Sequence, residues 1–377
     1  MFGRYADRIP GGIQEHVSAL CRALHGTAQV VVLVPKRGDM PSYERNEFCE
    51  IYRSGSVFEA ASVSVSPAMV AEARRLHRRT PFDLVHLHFP DPMSHLASWA
   101  LPRAVPRVIT WHSDIVRQRW LRVLYRPFLE HAISSAAAVV AATPAHFSSS
   151  TVLARRADSA KFRVVPYGFD FSRFDEVPDR AHALRDAAGG RTLIFALGRH
   201  VYYKGFEYLV RAMATVENAL LVLGGSGPLT PALRRLVQRS GVADRVQLTG
   251  HIADEHVPAY YHACDIFCLP SVEPAEAFGI AQLEAMACGK PVVCCRLNNG
   301  VNYLNLDGET GLAVPPRDAA ALAAALNRLG ADPRLRESLG ARGRSRARTE
   351  YSLGRMREAI LRVYDEALRA ARPVHPL

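Results

Sequence analysis

Two glutamates, Glu276 and Glu284, lie eight positions apart in the stretch SVEPAEAFGIAQLEAMACGKPVV of residues 271–293. An apolar run closed by proline precedes them at 265–270 and small residues follow, which predicts a strand, a loop and a helix. Glu276 would lie in the loop and Glu284 within the first two turns of the helix. Open α/β sheets bind ligands at the carboxyl ends of their strands, and helix N-termini attract anions. An ordinary βα unit with solvated glutamates explains the pattern equally well.

Two cations follow another predicted strand, at 193–197. Arg199 comes directly after Gly198, and Lys204 directly before Gly205. A guanidinium can bind two phosphate oxygens at once, while an ammonium supplies a point charge. Their loop is the first of its domain, so both could reach an anion held near Glu276. The alternative is a pair of surface cations without a ligand.

Two glycine-containing loops could approach a phosphate or a base. Gly12 precedes a predicted helix at 13–24, where the first βα loop of a domain would bind phosphate. Gly227 lies in the segment GGSGP of residues 224–228, which could line a nucleotide but equally forms a tight turn. Neither loop is the complete Gly-x-Gly-x-x-Gly fingerprint, which argues against a nicotinamide dehydrogenase.

Histidines end two neighbouring predicted strands. His86 and His88 share one face of strand 84–89 by alternation, and His112 follows strand 107–111. An imidazole there could hydrogen-bond to a sugar hydroxyl or an oxyanion. The three histidines predict a polar pocket at one sheet edge. They could also mimic a metal site, but no carboxylate pattern accompanies them, and we predict no metal.

Length and periodicity predict an α/β protein of two Rossmann-like doubly wound domains that face each other across a cleft. At 377 residues the chain exceeds the usual size of a single core. Apolar strand-like runs alternate with helical patterns, which indicates parallel sheets. We expect domains at residues 1–172 and 173–350, and a helix within 351–377 that packs back on the first domain. Members of such folds begin on a buried strand, and the chain starts where that strand should end, so we expect this first strand to be missing.

Composition limits the partners and the compartment. The net charge of +11 predicts an anionic partner, such as a nucleoside diphosphate or a lipid headgroup. No nucleic-acid-binding module is recognisable, so we predict no nucleic-acid partner. The seven cysteines lack zinc-site spacing and fit reduced core thiols. With neither a signal peptide nor a membrane-spanning run, the sequence predicts a cytoplasmic protein.

Residues 117–128 predict a basic amphipathic helix. Its aromatic and leucine residues form one face and three arginines the other, a pattern typical of helices that lie on anionic membranes. A core-facing helix with a solvated basic back is equally consistent. The region from Arg117 to Phe128 is therefore a candidate for peripheral association with a membrane.

With these residues in place, the chain resembles the retaining glycosyltransferases of the GT-B fold, specifically glycosyltransferase family four. The segment from Glu276 to Glu284 resembles the Glu-x7-Glu motif of that family, and Arg199 with Lys204 resembles its phosphate-binding pair. Residues 164–170 resemble its interdomain segment, and residues 307–312 its late Gly-x-x-Gly turn. The resemblance implies that the two cations hold the donor diphosphate, Glu284 binds the ribose and Glu276 contacts the donor sugar.

The resemblance assigns further residues. The backbone of Phe278, Gly279 and Ile280 would complete the anion and sugar site. Gly12 would let the first loop approach the pyrophosphate, and His112 would contact the sugar near the reacting centre. The family implies a transfer that retains the anomeric configuration and needs neither a metal nor another cofactor.

Residues 112–118 and 302–305 resemble mannosyl- and rhamnosyltransferases of bacterial surface-polysaccharide assembly. That likeness implies a GDP-mannose-like donor and a lipid-linked oligosaccharide or glycan acceptor. Two alternatives stay open: an epimerase of the GT-B fold, and a truncated or non-catalytic protein that binds nucleotide sugars.

Overall fold

The computed structural model describes residues 1–3, 12–36, 41–60, 63–112, 119–156 and 160–371. The chain divides into two compact units: unit 1 is Met1–Phe169 with Tyr351–Leu377, and unit 2 is Asp170–Glu350. Both are α/β structures in which strands and helices alternate along the chain. Among the helices described, none is both long and apolar enough to cross a lipid bilayer.

Unit 1 is built on mainly parallel strands. Its strands are β1 (Val31–Lys36), β2 (Ser42–Arg45), β3 (Glu50–Gly55), β4 (Phe58–Ala60), β5 (Val63–Val65), β6 (Val85–Phe89), β7 (Arg107–Trp111), β8 (Ala138–Ala141) and β9 (Phe162–Val164). Strands β6 to β9 pair in chain order and in parallel, as do β1 and β3. Strand β2 is antiparallel to β3, and β4 and β5 form a separate hairpin. Its helices are α1 (Gly12–Leu24), α2 (Ala68–Arg79), α3 (Pro92–Trp99), α4 (Arg119–Ser135), α5 (Pro144–Ser149) and α14 (Leu353–Ala371).

Residues 1–3 lie between β1 and β6, in the interior position where a strand was expected to be missing. Phe2 forms parallel bridges to Leu33 of β1 and Leu87 of β6. Its N–H donates to the carbonyl of His86 at 2.8 Å, and its own carbonyl accepts from the N–H of His88 at 3.0 Å. The buried Phe2 ring packs into the core beneath the sheet. Among the described residues no full strand is assigned at this position, and residues 1–3 join the two parts of the sheet through the bridges of Phe2.

The last helix, α14, belongs to unit 1 although it follows unit 2 in the chain. Its residues Met356, Ile360 and Val363 are buried in one apolar cluster with Val17 and Leu20 of α1. This stripe follows the helical period, so one face is covered and the opposite face remains polar. The packing of α14 on α1 thus joins two helices that are far apart in the sequence within unit 1.

Unit 2 contains one parallel sheet, with strand order β12-β11-β10-β13-β14-β15. The strands are β10 (Thr192–Leu197), β11 (Ala219–Gly224), β12 (Val246–Gly250), β13 (Ile266–Leu269), β14 (Val292–Cys295) and β15 (Gly311–Val314). The helices are α6 (Asp179–Ala187), α7 (Phe206–Ala212), α8 (Thr230–Arg239), α9 (Val257–Ala263), α10 (Ile280–Ala287), α11 (Gly300–Leu304), α12 (Ala319–Ala331) and α13 (Pro333–Glu350). The inner strands are continuous apolar runs, as in sheets covered by helices on both faces. The chain order reverses between β10 and β13. In such sheets this switch point opens a crevice at the carboxyl ends of the two strands.

Candidate active site

The loop after β10 places two cations at the switch point of unit 2. Arg199 is exposed and forms no ion pair with any residue that the structure describes. Lys204 lies in a short 3-10 turn, Tyr202–Lys204, and is half-buried. An exposed arginine beside a half-buried lysine provides two different cationic groups for an anion at this edge.

Lys204 and Glu276 form a largely buried ion pair. The Lys204 Nζ lies 2.6 Å from Glu276 Oε2, and the side chains are 13% and 11% exposed. The Ser271 hydroxyl donates to the same carboxylate oxygen at 2.8 Å. The fold therefore brings the predicted phosphate-binding lysine into direct contact with the predicted sugar-binding glutamate, although they lie 72 positions apart in the chain.

Backbone contacts fix the two loops that carry this pair. The N–H of Val272 donates to the carbonyl of Tyr203 at 2.8 Å. Gly205 adopts a left-handed conformation (φ 64°), and a Cβ there would lie 2.2 Å from the carbonyl oxygen of Pro270. Only glycine permits this approach, because any larger residue would overlap that backbone. The sequence element Lys204-Gly205 is thus explained by loop packing as well as by charge.

Glu284 lies in the second turn of α10 and is half-buried. The hydroxyl of Tyr261, which is completely buried on α9, donates to Glu284 Oε2 at 2.7 Å. Burial and the neighbouring carboxylate raise the pKa of Tyr261 well above its ordinary value, so the phenol stays protonated and continues to donate. Sequence reasoning did not identify Tyr261, because nothing in its local pattern distinguishes it from a core aromatic residue.

Replacing Tyr261 with phenylalanine should weaken nucleoside diphosphate binding about fivefold, because Glu284 would lose a hydrogen bond of the charge-assisted kind. The dissociation constant can be measured by calorimetry. Tyr260→Phe is the matched control, since that ring packs on Phe195 and its hydroxyl is not bonded to Glu284. Equal affinities for Tyr261→Phe and the unchanged protein would refute a positioning role for this phenol.

The residues that the resemblance assigns to the anion site lie at the start of α10. Gly279 is left-handed (φ 74°), and a Cβ there would lie 2.7 Å from both Leu269 Cδ2 and Gln282 Nε2. Phe278 is buried and Ile280 half-buried. No side chain of the described residues forms a capping hydrogen bond at the first turn of this helix. The N–H of Gln282 donates to the carbonyl of Gly279 at 2.9 Å. The N–H groups that precede it are proposed to face an anion, helped by the helix dipole.

Gly227 lies against the first loop. A Cβ on Gly227 would lie 2.6 Å from the carbonyl oxygen of His200 and 2.8 Å from its nitrogen. The N–H of His200 also donates to the carbonyl of Ser226 at 3.0 Å. The glycine-containing segment thus packs the two loops together, and a nucleotide contact by Gly227 stays a prediction.

Unit 1 contains the predicted histidine cluster and adds a member to it. His112 Nε2 lies 3.1 Å from His88 Nδ1, and His112 Nδ1 lies 2.7 Å from the hydroxyl of Tyr167. His16 of α1 packs its ring on His88, His112 and Tyr167. Sequence reasoning missed His16, although it follows Gly12 by one helical turn. Both ring nitrogens of His112 already have partners, so the predicted sugar contact requires one of these hydrogen bonds to open.

The neighbouring histidine, His86, is bonded to the last helix. Its Nδ1 lies 2.6 Å from the hydroxyl of Tyr364 on α14, and its Nε2 lies 2.7 Å from Thr110 Oγ1. Burial lowers the pKa of His16 to about 3. Burial, and then the neighbouring imidazoles, hold the pKa values of His86, His88 and His112 well below their ordinary value. All four rings are therefore neutral at pH 7.

Within the described ranges, this cluster is the group that could hold a metal ion. One nitrogen from each of His16, His88 and His112 lies within 4.8 Å of the other two. However, His88 and His112 already share a hydrogen bond that a metal ion would have to displace. The absence of a metal requirement stays a prediction.

Two predicted features fall partly outside the described residues. Gly12 begins α1, but the residues just before it, at 4–11, are not described. Residues 113–118, which include Arg117, are not described either. Side chains are described from Tyr125 onward in α4, and there Phe128 is 47% exposed. The phosphate role of Gly12 and the membrane role of 117–128 stay predictions.

The two α/β units, and the cation and carboxylate pair at the switch point of unit 2, define the GT-B class of glycosyltransferase folds. Solved structures agree with this assignment. Sucrose-phosphate synthase from Thermosynechococcus elongatus is 26% identical, with a TM-score of 0.76 over 96% of this chain and 94% of that one. Anabaena Alr3699/HepE in complex with UDP has the same fold, with 20% identity and a TM-score of 0.76 over 95% and 97% of the two chains.

Sequence comparisons identify the family. The family model described as Glycosyltransferase Family 4 matches residues 10–173, and the model Glycosyl transferases group 1 matches residues 180–346. D-rhamnosyltransferase WbpZ of Pseudomonas aeruginosa is 33% identical over 80% of this chain and 78% of its own. Phosphatidyl-myo-inositol mannosyltransferase of Mycobacterium leprae is 32% identical over 96% and 94%. The GDP-mannose-dependent alpha-(1-6)-phosphatidylinositol monomannoside mannosyltransferase of Mycolicibacterium smegmatis is 29% identical over 89% of each chain.

The chain belongs to glycosyltransferase family four, and it is a glycosyltransferase of the GT-B fold. The predicted family and fold class are confirmed by these matches.

Proposed function

We propose that this protein is a retaining glycosyltransferase that moves a hexose, mannose or a close relative, from a GDP-linked donor to a lipid-linked or polysaccharide acceptor in surface-glycan synthesis. The observation that carries the proposal is the contact between Lys204 and Glu276 at the switch point of unit 2, beside the exposed Arg199. This arrangement offers cations to a diphosphate and a carboxylate to a sugar hydroxyl within one site.

The chemistry follows from where charge develops. Cleavage of the bond between the anomeric carbon and the phosphate oxygen leaves its electron pair on the diphosphate, so negative charge grows there. Arg199, Lys204 and the N-terminal end of α10 would stabilise this charge. These groups supply what a divalent cation supplies in other transferases, and we therefore propose a reaction that needs no metal.

Retention of configuration follows if the acceptor attacks from the face that the diphosphate leaves. The acceptor hydroxyl would pass its proton to a diphosphate oxygen, and the new bond would form on the side of the broken one. Glu276 is held by Lys204 and Ser271, and we assign it to a sugar hydroxyl rather than to nucleophilic attack. Glu284, fixed by Tyr261, would bind the ribose. The configuration of the product's anomeric carbon, read by NMR, tests this part.

The proposed donor is supported by the names of relatives. One is described as GDP-mannose-dependent, and others as mannosyl- or rhamnosyltransferases. A structural neighbour of lower identity is a UDP complex, so the base must be tested directly. GDP-, UDP- and ADP-sugars should be titrated against the protein, and we expect GDP-mannose to bind in the micromolar range.

The variant Glu284→Ala provides the residue-level test of this site. GDP affinity should fall at least tenfold, because two ribose hydroxyls would lose a charged partner. Glu217→Ala, an exposed glutamate of the same unit, controls for the change of charge. If no sugar nucleotide binds with a dissociation constant below the millimolar range, the proposed function is overturned. Tight binding without any transfer would instead favour the alternative of a non-catalytic binding protein.

The acceptor side is proposed to include an anionic membrane surface. In unit 1, Leu96 and Phe128 are 40% and 47% exposed, and the rings of Trp99 and Phe128 stack at 5.6 Å. Arg126 of the same helix is exposed as well. An aromatic surface with a cation beside it suits the interface of an anionic bilayer. Relatives named for phosphatidylinositol substrates are consistent with a lipid acceptor.

Sedimentation with vesicles tests the membrane proposal. The protein should bind vesicles rich in phosphatidylglycerol at low salt and dissociate as salt rises, because cations contribute about 1 kcal/mol each near such a surface. Phe128→Asn should weaken binding about tenfold, since it removes a large apolar side chain from the contact. Tyr43→Asn, an exposed aromatic residue elsewhere in unit 1, is the control. No binding at low salt would exclude this surface.

A further inference from the structure

A hydroxyl group and an ammonium group share one oxygen of Glu276. Oε2 accepts the hydrogen bond from Ser271 at 2.8 Å and pairs with Lys204 at 2.6 Å. No hydrogen bond or ion pair to Oε1 is found among the residues described in unit 2. The two oxygens of this carboxylate therefore differ: one is held by the protein, and the other is available to a ligand.

Ser271 is a rigid anchor for this carboxylate. It is completely buried and follows Pro270 directly after β13. The next residue, Val272, is hydrogen-bonded to the first loop through Tyr203. The Glu276 backbone is also held, since the side-chain amide of Asn299 donates to its carbonyl at 2.8 Å. The hydroxyl and the carboxylate thus start from fixed positions in the backbone.

Bound donor would compete with Glu276 for Lys204. A diphosphate carries more negative charge than one carboxylate, and it would draw the lysine ammonium away from Glu276. The carboxylate would then keep Ser271 as its remaining described donor. Without that bond its plane could rotate about the side-chain torsions, and Oε1 would lose its fixed direction.

We propose that Ser271 is a positioning residue that fixes Glu276 toward the donor sugar while Lys204 moves to the diphosphate. This inference rests on the proposed function and deepens it. It assigns recognition of the sugar hydroxyl to the pair of Ser271 and Glu276, and recognition of the nucleoside diphosphate to groups that do not depend on Ser271.

The test measures dissociation constants for the unchanged protein and for Ser271→Ala. For each protein, GDP is compared with GDP-mannose, and UDP is compared with UDP-glucose in parallel. The variant should bind the nucleoside diphosphate within threefold of the unchanged protein. Its affinity for the sugar nucleotide and its kcat/KM should each fall about tenfold, the factor expected for loss of one hydrogen bond to a charged group. Ser271→Thr, which keeps the hydroxyl, should recover most of the loss.

Ser98→Ala is the matched control, because that buried hydroxyl also donates one hydrogen bond, to the carbonyl of His95 in unit 1. It should change neither affinity. An equal loss of diphosphate and sugar-nucleotide affinity in Ser271→Ala would show a merely structural role and overturn the inference, as would no loss of either. An unchanged protein that binds the diphosphate but no sugar nucleotide would instead overturn the proposed function, and the inference with it.

Discussion

Replacing Arg199 with methionine will lower kcat/KM for sugar transfer by two to three orders of magnitude and leave the protein folded. The guanidinium is the exposed cation of the first loop in unit 2, and negative charge develops on the diphosphate in the transition state. Loss of one fixed group that stabilises such charge typically costs about 100- to 1000-fold in rate. Arg199→Lys should recover part of the rate, because a point charge replaces the two-pronged contact.

The position of Arg199 makes this variant a clean test. It forms no ion pair with the residues that the structure describes, so its removal should change the free energy of unfolding by no more than about 0.5 kcal/mol. By contrast, Lys204→Met would leave Glu276 buried without its cation, and a loss of activity could then reflect misfolding.

Release of nucleoside diphosphate from the donor measures the rate, and thermal unfolding measures stability. Arg235→Met, an exposed arginine on α8 of the same unit, controls for the change in net charge. If Arg199→Met retains more than a tenth of the unchanged kcat/KM, the assignment of Arg199 to the leaving group is wrong.

Acid should unfold unit 1 before unit 2, with a midpoint near pH 5. Burial lowers the pKa of six described histidines in unit 1. These are His95 and His146, each to about 4, and the cluster of His16, His86, His88 and His112, in which that of His16 falls to about 3. In the unfolded chain each returns to about 6.5. Between these values the unfolded chain binds more protons than the folded one. Burial of these histidines in their neutral form therefore stabilises unit 1 fully above about pH 6.5, and this stability is lost as the pH falls.

The magnitude follows from proton linkage. Each buried histidine removes about 1.4 kcal/mol of stability per pH unit once the pH is below its unfolded pKa. The four clustered histidines together contribute up to about 5.6 kcal/mol per pH unit, comparable with the whole stability of a small domain. In unit 2 the described histidines with lowered pKa are His200 and His262, and neither belongs to such a cluster.

Intrinsic fluorescence isolates the response of unit 1, because the three tryptophans of the chain, Trp99, Trp111 and Trp120, all lie in that unit. Peptide-resolved hydrogen exchange would follow unit 2 in the same samples. His16→Asn should reduce the pH slope by about one proton. A tryptophan signal that stays unchanged to pH 4, or exchange that shows unit 2 unfolding first, would refute this account.

The inner strands show how far the sequence pattern reaches. The apolar runs predicted at 193–197 and 265–270 are observed as β10 and β13, with each end shifted by one residue at most, because parallel strands covered on both faces read as continuous apolar segments. The last helix was predicted within 351–377 and is observed at Leu353–Ala371. Periodicity succeeds where a segment's own apolar residues determine its burial.

The missed elements lack that signal. Strand β2 reads SYER and pairs only at the edge, so its place depends on hydrogen bonds to β3 rather than on an apolar pattern. Helix α13 is rich in arginine and buries few residues, among them Leu339 and Ala347. The bridges that residues 1–3 form were not predicted, because two strands distant in the sequence supply the partners of Phe2.

The same division holds for the candidate site. Residue type and local spacing were enough to identify the cations Arg199 and Lys204 and the carboxylates Glu276 and Glu284. They were also enough to identify the family whose motifs these residues match. Only the tertiary structure decided that Lys204 contacts Glu276, that Ser271 and Tyr261 hold the two carboxylates, and that His16 joins the histidines of unit 1. Those contacts join residues from different strands and helices, and their distances are set by sheet order and core packing rather than by separation along the chain.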